Sequence, residues 1–126
     1  MPITPVRTLV AEAKAVIETI APEDARTRAE AGEALLVDIR DVRELDREGR
    51  IPGAFPAPRG MLEFWIDPES PYHKPPLATG KTLVLFCASA WRSALSAKAL
   101  QEMGVSNVAE MDGGFSAWRT AGLPVD

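Results

Sequence analysis

The chain has 126 residues, 46% of them hydrophobic and 25% charged, with a formal net charge of −4. That length fits one domain large enough to bury its own core. The basic residues are mixed with acids, as in residues 41–48, so the sequence excludes the clustered cationic face that nucleic-acid binding needs. No apolar stretch approaches the roughly 20 residues of a membrane-spanning helix. Residues 1–20, broken by Arg7, Glu12, Lys14 and Glu18, lack the apolar run of a signal peptide. A cytoplasmic protein is therefore expected. The lone cysteine, which cannot form an intrachain disulfide, agrees with a reducing compartment.

Taken in order, Val6, Leu9, Val10, Ala13 and Ile17 recur at helical spacing and predict a docking helix. Residues 17–20 form a short strand candidate. Pro22-Glu23-Asp24 opens a second helix, because proline is tolerated in a first turn and acids favour the positive end of the helix dipole. Gly32 closes it. Residues 35–39 are an apolar run typical of a strand buried on both faces. Residues 41–48 read as a solvated helix stopped by Gly49, followed by an Ile51-Pro52-Gly53 turn and a short helix over residues 59–65. Four prolines between residues 67 and 76 mark a loop long enough to be a functional candidate. Thr82–Phe86 is the second clear buried strand. An Ala-rich helix from Arg92 to Met103 ends at Gly104. Val108 and Ala109 suggest a last short strand, and residues 115–120 a last helix. Strands alternating with helices argue for an α/β domain around a mostly parallel sheet.

Counted alone, Cys87 would be an ordinary small core residue. Its surroundings change that reading. It directly follows a buried strand and lies five residues before Arg92, where a helix begins. Ligands in open α/β sheets bind beyond the carboxyl ends of the strands. Ala88, Ser89 and Ala90 are small enough for the loop to curl until its backbone N–H groups converge on whatever Cys87 carries. Such a nest at a helix N-terminus favours negative charge. It should lower the thiol pKa. Arg92 adds a fixed positive charge, and Ser93 could cap the helix, accept a hydrogen bond, or both.

At this point the sequence resembles the rhodanese-like superfamily. Leu36-Val37-Asp38-Ile39-Arg40 with Glu44 is similar to the family's first signature, and Arg50-Ile51-Pro52-Gly53-Ala54 to its H-I-P-G-A turn. Cys87 to Ser93 matches the C-x4-R-[ST] loop. Asp112-Gly113-Gly114-Phe115-Ser116-Ala117-Trp118, followed by Gly122-Leu123-Pro124-Val125, matches the C-terminal signature. The ordered set covers about ninety residues. The resemblance implies a three-layer α/β fold with a central, mostly parallel sheet of five strands. The whole chain would be one such domain, with residues 1–20 as an N-terminal helical extension that could cover an edge or form a homodimer contact. It implies sulfurtransferase chemistry without a cofactor. The Cys87 thiolate would take sulfane sulfur from thiosulfate, a polysulfide or a persulfide, hold it as a persulfide, and yield it to cyanide or a thiol. Cys87 and Arg92 would be the catalytic residues. The backbone of Ala88, Ser89, Ala90, Trp91 and Ser93 would form the cradle, and Arg40 and Arg59 would bind an anionic donor. The alternative is a rhodanese-like binding or sulfur-relay module with low intrinsic turnover.

Two positions depart from the family. Ala90 stands where glycine is frequent, which is tolerable if the local φ is negative. Arg50 stands in place of the turn histidine and reads as structural. Cysteine phosphatases and arsenate-reducing relatives have C-x5-R. The shorter loop here makes a ring better sized for one sulfur atom. His73, with Tyr72 and Lys74, could rim the pocket, though this chemistry needs no imidazole. Trp91 is expected to point outward. One or both of Asp38 and Glu44 are expected to pair with Arg40, and Asp112 to cap the last helix. One cysteine and one histidine give too few ligands for a metal cluster.

Overall fold

The computed structural model describes residues 2–126. The periodic segments become elements largely where the apolar pattern puts them. Helix α1 (Val6–Lys14) buries Val10 and Ala13 against Ala94. Strand β1 (Glu18–Ile20) follows, so the first twenty residues are not solely a helical appendage. Helix α2 (Pro22–Glu30) carries proline, Glu23 and Asp24 in its first turn, as its dipole favours. Strand β2 (Ala34–Asp38) leads to helix α3 (Val42–Glu48). This helix opens with a reciprocal capping box: Asp41 accepts from the Arg43 N–H at 2.8 Å, and Glu44 accepts from the Asp41 N–H at 3.1 Å.

Strand β3 (Phe55–Pro56) has only two residues and no periodicity to announce it. Its proline is tolerated because the strand lies at the sheet edge. A 3₁₀ turn (Arg59–Met61) runs into helix α4 (Leu62–Ile66). The proline-rich segment then packs back on α4. Lys74 donates its backbone N–H to the Trp65 carbonyl at 2.8 Å, and His73 Nδ1 lies 2.9 Å from the same oxygen. The Lys74 ammonium sits 5.0 Å above the Trp65 ring. His73 and Lys74 therefore fasten this loop. Strand β4 (Thr82–Phe86), helix α5 (Arg92–Glu102), strand β5 (Val108–Met111) and helix α6 (Gly114–Thr120) complete the chain.

All five strands are parallel, in the order β1-β5-β4-β2-β3. This is the expected three-layer α/β fold. One face carries Val37, Leu83, Leu85 and Val108 against Ala97 and Leu100 of α5 and Leu62 and Ile66 of α4. The other carries Leu36, Val84, Phe86 and Met111 against Ala25 of α2 and Phe115 and Trp118 of α6. Residues 83–86 of β4 are fully buried between the layers, as a central parallel strand requires. The chain leaves β4 at Cys87, so the architecture delivers the cysteine to the middle of the sheet's carboxyl edge. No described helix is long and apolar enough to cross a membrane.

Beside that edge lies a buried ion pair. Arg40, just past β2, donates from Nη2 to Asp38 Oδ2 at 2.8 Å and from Nε to Asp38 Oδ1 at 3.0 Å. Nη2 also reaches the Gly49 carbonyl at 2.9 Å. The guanidinium lies 4.0 Å over the Phe115 ring. This pair ties β2 to the turn after α3 and to α6. Asp38→Asn strands the cation in the interior, and loss of one partner of a buried pair costs about 3–5 kcal/mol. Denaturant unfolding should show a loss of that order. A change under about 1 kcal/mol would contradict the structural role given to the pair.

Candidate active site

Cys87 is 1% exposed and sits at the base of the 87–93 loop. The loop closes on it: the Ala90 N–H donates to Sγ at 3.2 Å. Sγ lies 3.6 Å from Ser93 Oγ. Burial pushes the thiol pKa up. The Ser93 hydroxyl and the backbone N–H groups of Ser93, Ser89 and Ala90 outweigh burial and hold it below its ordinary value. The small-residue loop therefore does what its composition suggested: it points backbone donors at sulfur.

The curl comes from Ala90. Its φ is +71°, the only positive value at a non-glycine residue among those described. The condition for easy tolerance of a Cβ here, a negative φ, is not met. The left-handed turn aims the Ala90 N–H inward even though a Cβ is present, at a cost of about 1–2 kcal/mol. The loop is held from below by α6. Phe115 N–H donates to the Cys87 carbonyl at 2.8 Å, and Ser116 N–H to the Ala88 carbonyl at 3.0 Å. A Cβ on Gly114 would stand 2.5 Å from the Cys87 carbonyl oxygen. The double glycine of the C-terminal signature thus lets a helix N-terminus approach the active loop directly.

Several expected roles fall differently. Glu44 pairs with Arg92, not Arg40: Nη1 donates to Oε1 at 2.7 Å and Nη2 to Oε2 at 2.9 Å. This bidentate bond latches α5 to α3 and holds the Glu44 carboxyl down at about 2. Arg92 is correspondingly raised, first by its hydrogen bond to Glu44. It is a neutralised partner at the rim, not a free cation. Arg40 is buried on Asp38, with Nη1 without a hydrogen-bond partner. Arg59 is exposed. Its backbone N–H binds the Ile39 carbonyl at 3.1 Å, which places it on the same carboxyl edge of the sheet as Cys87. Ala88 is half-buried, and Ser89 and Trp91 are exposed, with Trp91 at 48% as its outward pointing predicted. Ser93 does not cap α5, whose N-cap is Trp91, but it does accept the hydrogen bond from Cys87 Sγ. Its hydroxyl donates instead to Glu110 Oε1 at 2.7 Å. Asp112 does not cap α6; its N-cap is Gly113, in a left-handed conformation.

Glu110 is the residue that sequence reasoning missed. It is 0% exposed in the middle of β5, where it also accepts from Lys14 Nζ at 2.7 Å and Thr19 Oγ1 at 3.3 Å. A single acid within Val108-Ala109-Glu110-Met111 was the available signal, since an isolated charge in a buried strand needs partners. Among the described residues no group of His, Cys, Asp and Glu could hold a metal ion.

A cysteine after a central parallel strand, with a short loop curled over it and the Ala90 N–H on its sulfur, makes a candidate thiol site on an α/β sheet. The rhodanese-like domain model matches residues 21–121, and the chain belongs to that family. It is 35% identical over 106 residues to the uncharacterized protein slr1261 of Synechocystis, covering 84% of this chain. The chain spans about half, 54%, of that curated relative's length. Among solved structures, it is similar to Rhodopseudomonas palustris RPA3614, described as a protein of unknown function and possible tyrosine phosphatase. The TM-score is 0.91 and the identity 48%, over 100% of this chain and 99% of that one. It is also similar to the homodimeric polysulfide-sulfur transferase of Wolinella succinogenes. There the TM-score is 0.72 and the identity 31%, over 95% of this chain and 85% of that one.

Two predictions test this geometry. Ala90→Gly relieves the left-handed strain and should stabilise the fold by about 0.5–1 kcal/mol in denaturant unfolding; a destabilised variant would contradict the strained turn. Glu44 has a folded pKa below its unfolded value. Its stabilising contribution is therefore complete above about pH 4.5 and is lost as pH falls toward about 2. Acid titration of stability should show a shallower loss across that window in Glu44→Gln than in the parent, and parallel curves would reject the latch.

Proposed function

We propose that this domain is a sulfurtransferase that carries sulfane sulfur as a persulfide on Cys87. The observation that carries the reading is the loop curled so that backbone N–H groups face one sulfur. The Ala90 amide already lies within hydrogen-bond distance of Sγ, and the thiol is held below its ordinary pKa. A thiolate is the attacking form. It displaces the leaving group from the outer sulfur of thiosulfate, a polysulfide or a persulfide. The anionic product would sit in preorganised donors at the sheet edge. Arg59, exposed at that edge, is the side chain we assign to an anionic donor. An external thiol or cyanide then removes the sulfur, since the chain has no second cysteine to resolve the persulfide.

The phosphatase description of the Rhodopseudomonas relative fits this site less well. Only four residues separate Cys87 from Arg92, and both terminal nitrogens of Arg92 are engaged by Glu44. An arginine so occupied has no free fork to offer a phosphoryl group.

Intact-mass analysis after exposure to thiosulfate or polysulfide should show one added sulfur, removed by a thiol or cyanide and absent in Cys87→Ser. No added sulfur with any of these donors, or hydrolysis of an aryl phosphate in its place, would overturn the proposal.

A further inference from the structure

The Ser93 hydroxyl lies between two groups that can each carry negative charge. Its Oγ is 2.7 Å from Glu110 Oε1 and 3.6 Å from Cys87 Sγ. A hydroxyl has one proton to give. In the arrangement shown, Cys87 donates its S–H to Ser93, and Ser93 donates to Glu110. If Cys87 ionised to solvent while Glu110 stayed a carboxylate, two anions would compete for that single proton. One of them would lose the Ser93 hydroxyl, and two buried negative charges would face the single Lys14 ammonium, which is costly at a site this enclosed.

We propose that Glu110, acting through Ser93, accepts the proton that Cys87 loses in becoming a thiolate, and that Lys14 of α1 balances the one negative charge of the Cys87–Ser93–Glu110 chain. The transfer is a two-proton shift. The S–H bond breaks and its proton joins Ser93 Oγ; the original Ser93 proton passes to Glu110 Oε1. The electron pair stays on sulfur, and the negative charge moves from carboxylate to thiolate. Every hydrogen bond survives with its direction reversed: Glu110 now donates to Ser93, and Ser93 donates to Sγ beside the Ala90 amide. When an acceptor removes the sulfur and Cys87 leaves as a thiolate, the proton can return by the same route.

The groups around Glu110 support this assignment. Oε2 is held by the Lys14 ammonium from α1 and the Thr19 hydroxyl from β1, leaving Oε1 for Ser93 of α5. The flanking β4 residue in register, Leu85, is apolar. The opposite cation, Arg92, is matched by Glu44. One ammonium thus faces one transferable negative charge, and the chain stays neutral on both sides of the proton shift. Lys14 and Thr19 lie before residue 21, where the family match begins, so α1 and β1 supply this device from outside it. Glu110 and Lys14 do not touch substrate; they position a proton and a charge.

The inference rests on Cys87 being the nucleophile, but its test needs no sulfur donor and so fails or succeeds independently of sulfur transfer. Thiolate ultraviolet absorbance is followed against pH, with Cys87→Ser as the blank. In the parent chain the thiolate forms by an internal shift. Its amplitude should be nearly flat from about pH 6 to the free-cysteine range near about 8.5. Glu110→Gln and Ser93→Ala must release the proton to solvent. Their thiolate fraction at about pH 6 should fall at least about tenfold and recover as pH rises. Ser93→Thr keeps the hydroxyl and should restore the flat profile. Near-ultraviolet circular dichroism confirms that each variant is folded. Folded Glu110→Gln and Ser93→Ala profiles superimposable on the parent's would overturn the proposal, as would a parent amplitude that climbs with pH as free cysteine does.

Discussion

The convergence of hydrogen-bond donors on the Cys87 sulfur is the constraint around which the rest of the molecule is arranged. A buried thiol resists ionisation, and this one is 1% exposed. Only donors fixed in place can reverse that preference. Each is fixed by a different part of the fold. Strand β4 brings the cysteine to the middle of the sheet edge. The left-handed Ala90 turns its amide inward, α6 grips the loop through the Cys87 and Ala88 carbonyls, and α5 presents the Ser93 N–H. The strain at Ala90 and the close approach at Gly114 are local costs of that one arrangement.

The charges are organised in nested pairs around it. Glu44 neutralises Arg92, Asp38 neutralises Arg40, and Lys14 neutralises Glu110. None of the three cations is free to act as a lone field source. The site therefore gains its anionic preference from oriented dipoles more than from net charge, in keeping with a thiol lowered chiefly by hydrogen bonds.

Much of this was legible in the sequence, for identifiable reasons. The β2 and β4 runs are continuous apolar segments because both faces of a central parallel strand are covered, and they read clearly. The position of Cys87 followed from the strand-loop-helix order alone. The partners of charged residues did not follow. Arg40 and Arg92 could each have taken Asp38 or Glu44, and only the fold shows that α3 presents Glu44 to α5. The two-residue β3 has no period to detect. The sign of φ at Ala90 is set by loop closure, a tertiary demand that overrides the side chain's own preference. Glu110 was visible as an acid in an apolar strand, but its partners come from α1, β1 and α5, far apart in sequence.

Sulfur transfer through Cys87 requires the sulfur to rest inside the loop. A crystal structure of the chain after reaction with polysulfide tests this directly. It should show an outer sulfur bonded to Cys87 Sγ and lying within the curve of the loop, at hydrogen-bond distance from backbone N–H groups of residues 88–93. An outer sulfur turned away from the loop, with no amide donor in reach, would contradict it.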